Sequence, residues 1–559
     1  MAKAQQPWFA LYGDRPREVA CRFDTALEMA EVTMREASDR PLVHYFDRHL
    51  TGADLDAQSD AFARALHARG FGHRDRLVAQ TQNIPQFVVA LLACWKLGGT
   101  LVTANPMYRE REVALIVEDC RPQAFLTQEE LWPEVGRLAC SGSTVEQAYT
   151  TSMLDGLARV PDVLEGTTRR HFEDATDLAG AIAAHAHGAP VRHPLSGEDP
   201  AVLMYTSGTT GPPKGAMISH RNLLADVVLW PAWLGLTADD TIMAVAPVFH
   251  VTGLAANVGV SLLTGARLVL AARFDAAETL RQIEHHRATF LVAAITVYTA
   301  LMNHPDFSAA RVASLRAAYS GGAPVAPATA SRWRQAAGVP VHNCYGLTET
   351  TSLTHLVPLG LEAPVDARSG ALAIGIPASG TDVEIHDDAG VSLPPGEIGE
   401  LVIGGPQVVS GYWERPQETA ETFPDGRLRT GDVGFMDEQG WFYLVDRRKD
   451  LIVASGYKVW PREVEDVLVS HPSIREAAVI GVPDEYRGET VKAFVSLRPG
   501  ASFDEAALVG FCKARMAAYK YPRSIEVLED LPKTASGKIL RRQLRHGGDD
   551  ARTRDENGH

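Results

Sequence analysis

The sequence has little of what marks secreted, membrane-spanning or nucleic-acid-binding chains. Its six cysteines are scattered over 559 residues without a C-x-x-C pair, so neither a disulfide framework nor a zinc site is predicted. The longest apolar runs, such as Phe87–Trp95, reach about half the length of a membrane span. An excess of 69 acidic over 54 basic side chains gives a net charge of −15, so no global field attracts nucleic acid or anionic lipid.

The first residues contain no long apolar stretch before Asp14 and Arg15, so no signal peptide is predicted. We therefore expect a cytoplasmic protein with reduced thiols, no transmembrane segment and no nucleic-acid partner. Peripheral contact with a membrane and a homodimer both stay open.

The composition is globular, with 45% apolar and 22% charged residues, and the length requires more than one core. Helical patterns over Leu55–Gly70 and Phe87–Leu97 flank a strand pattern over Arg76–Ala79, which predicts βα units around a parallel sheet. From Gly375 onward, short strand patterns alternate with Gly/Pro/Asp turns and predict a small antiparallel barrel or sheet.

A polar run at 446–450 is predicted to be a domain boundary, and a compact unit follows it. Pro461 suits the first turn of a helix, Val491–Leu497 alternates like a strand, and Ser502 with Glu505 forms a capping-box pattern. We expect the α/β class: a large N-terminal domain (1–445) of layered αβ subdomains plus a small β-barrel, a boundary segment (446–450), a small α+β C-terminal domain (451–545), and a disordered tail (546–559).

The strongest motif is a loop of glycines, hydroxyls and one lysine at 204–215, MYTSGTTGPPKG, which an apolar segment precedes. Glycines let backbone N–H groups turn toward an anion, hydroxyls add donors, and lysine adds a mobile positive charge. A solvated linker is the alternative, but a linker would not need the flanking apolar segment. The loop is predicted to bind a polyphosphate through Thr206, Ser207, Gly208, Thr209, Thr210, Gly211 and Lys214.

This loop differs from a P-loop, which needs G-x-x-x-x-G-K-[ST] and a helix that begins at the lysine. Pro212 and Pro213 remove two N–H donors and oppose an immediate helix. Ala216–Ile218 is predicted to be a second strand, and helix signals begin only at Ser219. The loop is therefore expected to connect strand to strand, which disfavours a P-loop motor or kinase.

In this loop the sequence resembles the adenylate-forming superfamily, which includes acyl-CoA synthetases, luciferases and the adenylation domains of peptide synthetases. The resemblance extends over residues 30–542 through several later motifs. It implies an enzyme that joins a carboxylic acid to AMP from MgATP and then transfers the acyl group to a thiol, with coenzyme A as the favoured acceptor.

Two motifs of the large domain take their roles from this resemblance. In NCYGLTET (343–350), it implies that Tyr345 and Gly346 contact adenine, that Thr348 donates to the α-phosphate, and that Glu349 and Thr206 bind Mg²⁺. In the turn SGGAP (320–324), it implies adenine contacts from Gly322, Ala323 and Pro324.

Four motifs toward the C-terminus resemble the ribose site, the hinge, the thiol tunnel and the catalytic lysine loop. The resemblance implies that Asp432 binds ribose and that Arg447 contacts ribose or phosphate. It also implies that 446–450 is a hinge with Lys449 as its pivot, so that the small C-terminal domain (451–545) is mobile. It places Gly456 beside the thiol tunnel and makes Lys538 the leading catalytic residue. A turn aspartate, a charged linker and an exposed loop lysine are the alternatives for single motifs.

The segment APVFHVTG (246–253) resembles the lining of the acyl pocket, with His250 near the reacting carboxylate; a core histidine is the alternative. Amino-acid-activating relatives carry an aspartate beside Phe249, so His250 argues against an amino acid. Four apolar residues are candidates for the acyl wall: Val251, Leu254, Val297 and Tyr298.

The segment TANPMY (103–108) resembles fatty-acyl-CoA ligases in particular, and no carrier-protein domain follows residue 545. We therefore predict an AMP-forming ligase that joins a medium- or long-chain fatty acid to coenzyme A. The alternatives are an aryl-acid CoA ligase, an enzyme that uses a carrier protein or oxygen as acceptor, and a non-catalytic nucleotide-binding relative.

Overall fold

The computed structural model describes residues 6–206, 213–367, 369–447, 450–454, 457–484, 488–517, 519–534 and 537–546. The strands, in chain order, are β1 (Pro41–Tyr45), β2 (Arg48–Thr51), β3 (Arg76–Gln80), β4 (Thr100–Thr103), β5 (Ala124–Gln128), β6 (Gln147–Thr151), β7 (Thr176–Asp177), β8 (Pro200–Thr206), β9 (Lys214–Ser219), β10 (Thr241–Met243), β11 (Arg267–Leu270), β12 (Phe290–Ala293), β13 (Ala317–Ser320), β14 (Val341–Tyr345), β15 (His355–Leu356), β16 (Ile376–Pro377), β17 (Asp382–His386), β18 (Gly399–Gly404), β19 (Leu428–Met436), β20 (Phe442–Arg447), β21 (Ile452–Ala454), β22 (Tyr457–Val459), β23 (Ile474–Asp484), β24 (Gly488–Leu497) and β25 (Ser524–Val527).

The α-helices are α1 (Ala26–Glu36), α2 (Gly52–His67), α3 (Pro85–Lys96), α4 (Glu110–Cys120), α5 (Arg137–Cys140), α6 (Leu178–Ala184), α7 (His220–Val227), α8 (Leu229–Leu234), α9 (Val260–Thr264), α10 (Ala276–His286), α11 (Ile295–Asn303), α12 (Ala309–Val312), α13 (Pro327–Ala337), α14 (Pro416–Thr422), α15 (Pro461–Ser470), α16 (Glu505–Lys513) and α17 (Arg541–His546). Shorter helical turns include a π-helix at Gly253–Gly259 and a 3₁₀ turn at Thr348–Thr350.

Two large sheets with parallel centres form the N-terminal part. Within the described ranges, one has the order β7-β6-β5-β3-β4-β8-β9 and the other β16-β15-β14-β13-β12-β10-β11-β1-β2. Central strands such as β4 and β12 are buried along their whole length. Strands buried on both faces are expected where helices cover both sides of a parallel sheet, so the predicted α/β class is confirmed.

The predicted small β-barrel is a four-stranded antiparallel sheet in the structure, with the order β17-β18-β19-β20. Four strands are too few to close a barrel around side chains, so the barrel expectation is corrected to an open sheet. The pairing of β18 with β19 is irregular between Glu400 and Val402, next to the predicted ribose aspartate, Asp432.

The C-terminal unit has a sheet of its own, β22-β21-β24-β23, with β25 paired in parallel to β24. Its core cluster includes Ile452, Val464, Val479 and Leu508, and is separate from the clusters of the large part. Pro461 begins α15 as predicted, whereas Asp504 rather than Ser502 caps α16 through the N–H of Ala507. The boundaries 445 and 450 stay predictions, and the predicted tail lies mostly outside the described residues.

The state of the cysteines and the character of the helices can be read from the described residues. All six cysteines are free, and Cys94, Cys120, Cys344 and Cys512 are buried. No helix in the described part of the chain combines the length and the apolar character needed to cross a membrane.

Candidate active site

The polyphosphate loop connects two antiparallel strands, as the sequence predicts. Thr206 ends β8 and pairs with Lys214, which begins β9. The capping box of Ser219 then starts α7, so the helix begins one strand later than in a P-loop. Of the predicted loop residues, Ser207, Gly208, Thr209, Thr210 and Gly211 lie outside the described residues.

A tyrosine brings the loop lysine and the predicted metal ligand together. The Nζ atom of Lys214 lies 5.3 Å from the ring centroid of Tyr412, and the Tyr412 hydroxyl donates to Glu349 Oε1 at 2.8 Å. Burial and the Glu349 charge raise the pKa of Tyr412, so its hydroxyl stays protonated and donates. An ammonium group and an oriented carboxylate therefore face one region of the site.

Tyr412 reaches this position because its segment adds to the edge of β9. The N–H of Met217 donates to Gly411 O at 3.0 Å, and the N–H of Trp413 donates to Gly215 O at 2.7 Å. Sequence analysis missed Tyr412: the chain around it resembles an ordinary aromatic turn, and no local pattern reveals a partner about two hundred residues away.

The predicted adenine and magnesium residues occupy the tip of the antiparallel pair β14–β15. Only glycine fits at position 346, since a Cβ atom there would lie 1.2 Å from Ser352 O. Thr348 begins the 3₁₀ turn and accepts the N–H of Thr351, and Glu349 O accepts the N–H of Val409 at 3.0 Å. The tip is thus held against the 407–409 segment.

The predicted adenine and ribose residues are in direct contact. The Tyr345 hydroxyl donates to Asp432 Oδ2 at 2.7 Å. Asp432, in β19, pairs across the ladder with Arg447 of β20. Gly322 has a φ of +76° in the turn after β13, at the same sheet edge as the end of β14, and Ala323 and Pro324 follow it.

His250 precedes the π-helix at Gly253–Gly259, a rare element that is frequent at functional sites. Burial and the nearby Lys538 ammonium group lower the pKa of His250 to about 4, so the ring is neutral at physiological pH. The structure therefore brings together two predicted catalytic residues that are 288 positions apart in the sequence.

Asn83, which sequence analysis also missed, fixes the chain before His250. Its Nδ2 donates to Ala244 O at 2.9 Å and to Ala246 O at 3.2 Å, and its Oδ1 accepts the N–H of Val248 at 2.9 Å. The amide uses both its donor and acceptor groups, so this segment has little freedom. An asparagine before a helix usually signals only a cap, which explains why the pattern did not reveal this role.

The lysine loop is a tight turn that lies against the large part of the molecule. The N–H of Lys538 donates to Thr534 Oγ1 at 3.1 Å, and Lys538 O accepts the N–H of Thr534 at 2.7 Å. Gly537 has a φ of +83°, and a Cβ atom there would lie 2.4 Å from Thr296 Oγ1. Lys449 and Gly456 lie outside the described residues.

The donor set suits a magnesium ion that is bound mainly through a nucleotide. Mg²⁺ prefers hard oxygen ligands and in phosphate sites takes one or two from the protein. Glu349 supplies an anionic carboxylate whose Oε1 is fixed by Tyr412, and Thr206 ends β8 beside the loop. These two oxygen-bearing side chains fit a Mg²⁺ ion that takes its other ligands from phosphate oxygens and water.

Lys214 and Glu349 meet at Tyr412, Tyr345 contacts Asp432, and the Lys538 loop lies against Thr296, an arrangement expected of an enzyme that activates a carboxylate with a nucleotide. The chain belongs to the AMP-binding enzyme family, whose model matches residues 30–413, and the AMP-binding enzyme C-terminal domain matches residues 463–538. It is thus a member of the adenylate-forming superfamily, as the motifs predict.

Its relatives include a long-chain-fatty-acid–CoA ligase of Bacillus subtilis, 35% identical over 97% of this chain and 98% of the relative. The long-chain-fatty-acid–CoA ligase of Escherichia coli O6:H1 is 33% identical over 98% and 99%. The crystal structure of an anthranilate CoA ligase in complex with anthranoyl-AMP is similar with a TM-score of 0.85 and 27% identity, over 97% of this chain and 99% of that one.

Proposed function

We propose that the protein is an ATP-dependent, AMP-forming acyl-CoA ligase for a medium- or long-chain fatty acid. The observation that carries the proposal is the position of Lys538, whose charge reaches His250 from a loop seated on the large part of the molecule. An ammonium group beside the acyl segment has a clear use, since it can stabilise the negative charge that develops when a carboxylate attacks phosphorus.

In the first step, a carboxylate oxygen attacks the α-phosphorus of ATP, and pyrophosphate leaves with the electrons of the broken P–O bond. We assign the adenine to Tyr345 and the Gly322–Pro324 turn, the ribose to Asp432 and Arg447, and the β- and γ-phosphates to the loop and Lys214. Glu349 and Thr206 would hold Mg²⁺, which neutralises phosphate charge when bound. The protein contributes mainly position and charge.

In the second step, the thiolate of coenzyme A attacks the acyl carbon, and AMP leaves with one of the original carboxylate oxygens. The anhydride is needed because a free carboxylate is a poor electrophile. We propose that the C-terminal unit (451–545) reorients about the 446–450 hinge with Lys449 as pivot, so that the Gly456 segment then borders the thiol path.

The substrate class follows from the pocket segment and from the relatives. Val251 and Leu254 are almost fully buried beside His250, so an apolar wall adjoins the reacting carboxylate. Of the other two candidates, Tyr298 is fixed in the sheet core, because its hydroxyl donates to Leu291 O and Tyr319 O. The fatty-acid ligases of Bacillus subtilis and Escherichia coli match nearly the whole chain, which supports an acyl chain over an aromatic ring.

The second candidate is an aryl-acid CoA ligase, which the similarity to the anthranilate CoA ligase favours. An aryl acid needs a short, wide pocket, whereas a fatty acid needs a long, narrow one. The two proposals therefore differ in how activity depends on the chain length of the acid.

A panel of acids tests both proposals. The purified protein is incubated with ATP, Mg²⁺, coenzyme A and one acid at a time, from acetate to octadecanoate and including benzoate, anthranilate and ferulate, and the thioesters are measured by mass spectrometry. We expect the largest kcat/KM for an acid of eight carbons or more. A maximum at an aryl acid would reverse the order of the two candidates, and no thioester with any acid would contradict both.

We also propose that the enzyme acts in the cytoplasm and that a carrier protein is not its acceptor. Replacing coenzyme A in the same assay by a pantetheinylated carrier protein tests the acceptor. Light scattering at assay concentration measures whether the protein forms a homodimer.

A further inference from the structure

Helix α7 begins where the phosphate-loop strand β9 ends, and two of its side chains reach the segments that hold Glu349. Asn222 and Asp226 are four residues apart, so they lie on one face of the helix. The mechanism proposed above uses neither residue. Their contacts connect three parts of the nucleotide site that are distant in sequence.

Asn222 holds the 406–408 segment. Its Nδ2 donates to Pro406 O at 2.8 Å and to Val408 O at 3.0 Å, while its Oδ1 accepts the N–H of Ser219 at 3.1 Å. The capping box thereby fixes the amide plane, and both donors point at the segment. That segment in turn accepts the Thr351 hydroxyl at Gln407 O, at 2.8 Å.

Asp226 holds the other side of the same turn. It is fully buried in α7, and its Oδ2 accepts the N–H of Leu353 at 2.5 Å, with Trp230 Nε1 3.4 Å from its Oδ1. Burial raises the pKa of Asp226 well above its usual range, because the apolar interior disfavours the charged form of the carboxyl group.

The turn between these anchors is strained. Thr351 has a φ of +59° and Ser352 a φ of +147°, and both residues are buried. A β-branched residue in the left-handed region persists only where the surroundings hold it there. The two residues directly follow Glu349 and Thr350, so relaxation of this turn would move the Glu349 carboxylate and the Gly346 backbone that packs on Ser352.

We propose that Asn222 and Asp226 are positioning residues that hold the strained Thr351–Ser352 turn and thereby fix Glu349 relative to the phosphate-loop strand. The inference rests on the proposed function, because the proposed function assigns Glu349 and Lys214 to the same nucleotide. It predicts that loss of either anchor weakens nucleotide binding although neither side chain contacts the nucleotide.

The variants separate positioning from mere stability. Asp226→Asn keeps an oxygen for the N–H of Leu353, whereas Asp226→Ala leaves that buried donor without its acceptor. Asn222→Asp keeps the cap oxygen for Ser219 and removes both donors to the 406–408 segment. Arg221→Ala is the matched control, since this exposed side chain on the same helix pairs with Glu198.

Isothermal titration calorimetry of the full chain with MgATP, without acid or coenzyme A, measures the effect. We expect Asp226→Ala and Asn222→Asp to raise the Kd about tenfold, and Asp226→Asn and Arg221→Ala to stay within about threefold of the wild type. In steady-state assays the KM for ATP should rise by a similar factor, while the KM for the acid stays constant. The thermal midpoint without nucleotide reports whether each variant is folded.

The possible results each have one meaning. If folded Asp226→Ala binds MgATP like the wild type, or if Asp226→Asn weakens binding as much as Asp226→Ala, the inference is wrong. If Asp226→Ala does not fold, Asn222→Asp decides, and an unchanged Kd for it overturns the inference. If the wild type itself does not bind MgATP, the proposed function fails, and that result is distinct from the others.

Discussion

At the scale of single residues, the site relies on short polar contacts that orient charged groups before any substrate arrives. The Tyr412 hydroxyl fixes Glu349, and the Tyr345 hydroxyl meets Asp432. Orientation of this kind matters because reorganising dipoles during the reaction would raise the barrier. Substitutions that remove one hydroxyl therefore test the account with little change in volume.

Tyr412→Phe should weaken the response to magnesium. Without the hydroxyl, the charged Glu349 carboxylate loses the hydrogen bond that Tyr412 donates to it. The Mg²⁺ concentration for half-maximal activity should therefore rise about tenfold. Initial rates over a Mg²⁺ titration at fixed ATP measure this. Tyr443→Phe is the matched control, because that hydroxyl donates to Asp437, after β19 in a different sheet from the one that Tyr412 contacts; equal responses of both variants would remove Tyr412 from the site.

Lys538→Ala should affect the two half-reactions unequally. Pyrophosphate release with acid and ATP should fall at least a hundredfold, because a positive charge at the reacting centre is lost. Thioester formation from supplied acyl-AMP and coenzyme A should change by less than about threefold. A similar loss in both half-reactions would contradict the role assigned to Lys538.

At the scale of elements, the two halves of the site meet through loops that allow no extra atoms. The Lys538 loop packs against the start of α11 at Gly537. A Cβ atom on Gly537 would lie 2.4 Å from Thr296 Oγ1, so no larger residue fits there without a shift. The tip of β14–β15 is tighter still at Gly346, where a Cβ atom would lie 1.2 Å from Ser352 O. Such contacts make loop position depend on glycine.

Gly537→Ala should reduce adenylate formation more than Gly500→Ala does. Both glycines have positive φ, +83° and +77°, so the backbone strain of the substitution is matched. Only Gly537 faces a neighbour, since nothing lies within 4 Å of a Cβ at Gly500. We expect a tenfold or larger excess loss of pyrophosphate release for Gly537→Ala; equal effects of the two substitutions would show that the contact with Thr296 is unimportant.

The same scale shows what the sequence could and could not predict. Strands β8 and β9 were predictable, because an apolar run, two prolines and a cap at Ser219 are local signals. Tyr412, Asn83 and Asp226 were not, because each acts through a partner far away in sequence. The barrel expectation was wrong because turn spacing indicates strand number poorly and does not indicate whether a sheet closes.

At the scale of the whole molecule, several neutral histidines make the fold sensitive to acid. Burial lowers the pKa of His44, His220, His250, His286 and His342 to about 4 and that of His355 to about 3, against an ordinary value of 6.5. A depressed histidine pKa means that the unfolded chain binds more protons between about pH 6.5 and 4. The contribution of these histidines to the free energy of unfolding is therefore fully present above pH 6.5 and decreases as the pH is lowered toward 4.

His220→Leu should flatten this acid dependence. His220 packs against Trp95, and neither ring nitrogen has a hydrogen-bond partner among the described residues. A single group with these pKa values costs about 2 kcal/mol of unfolding free energy between pH 7 and pH 5. Urea denaturation at the two pH values should show a smaller loss in the variant by about that amount, and an identical loss would mean that His220 is protonated in the folded protein.

The central claim is that the acid reacts through an acyl-adenylate, and an isotope experiment tests it most directly. A fatty acid labelled with ¹⁸O in both carboxylate oxygens is converted with ATP and coenzyme A, and the phosphorus products are analysed by mass spectrometry. The account predicts one ¹⁸O atom in AMP and none in pyrophosphate, because the carboxylate oxygen attacks the α-phosphorus and leaves with it. Label in inorganic phosphate together with ADP would contradict the account.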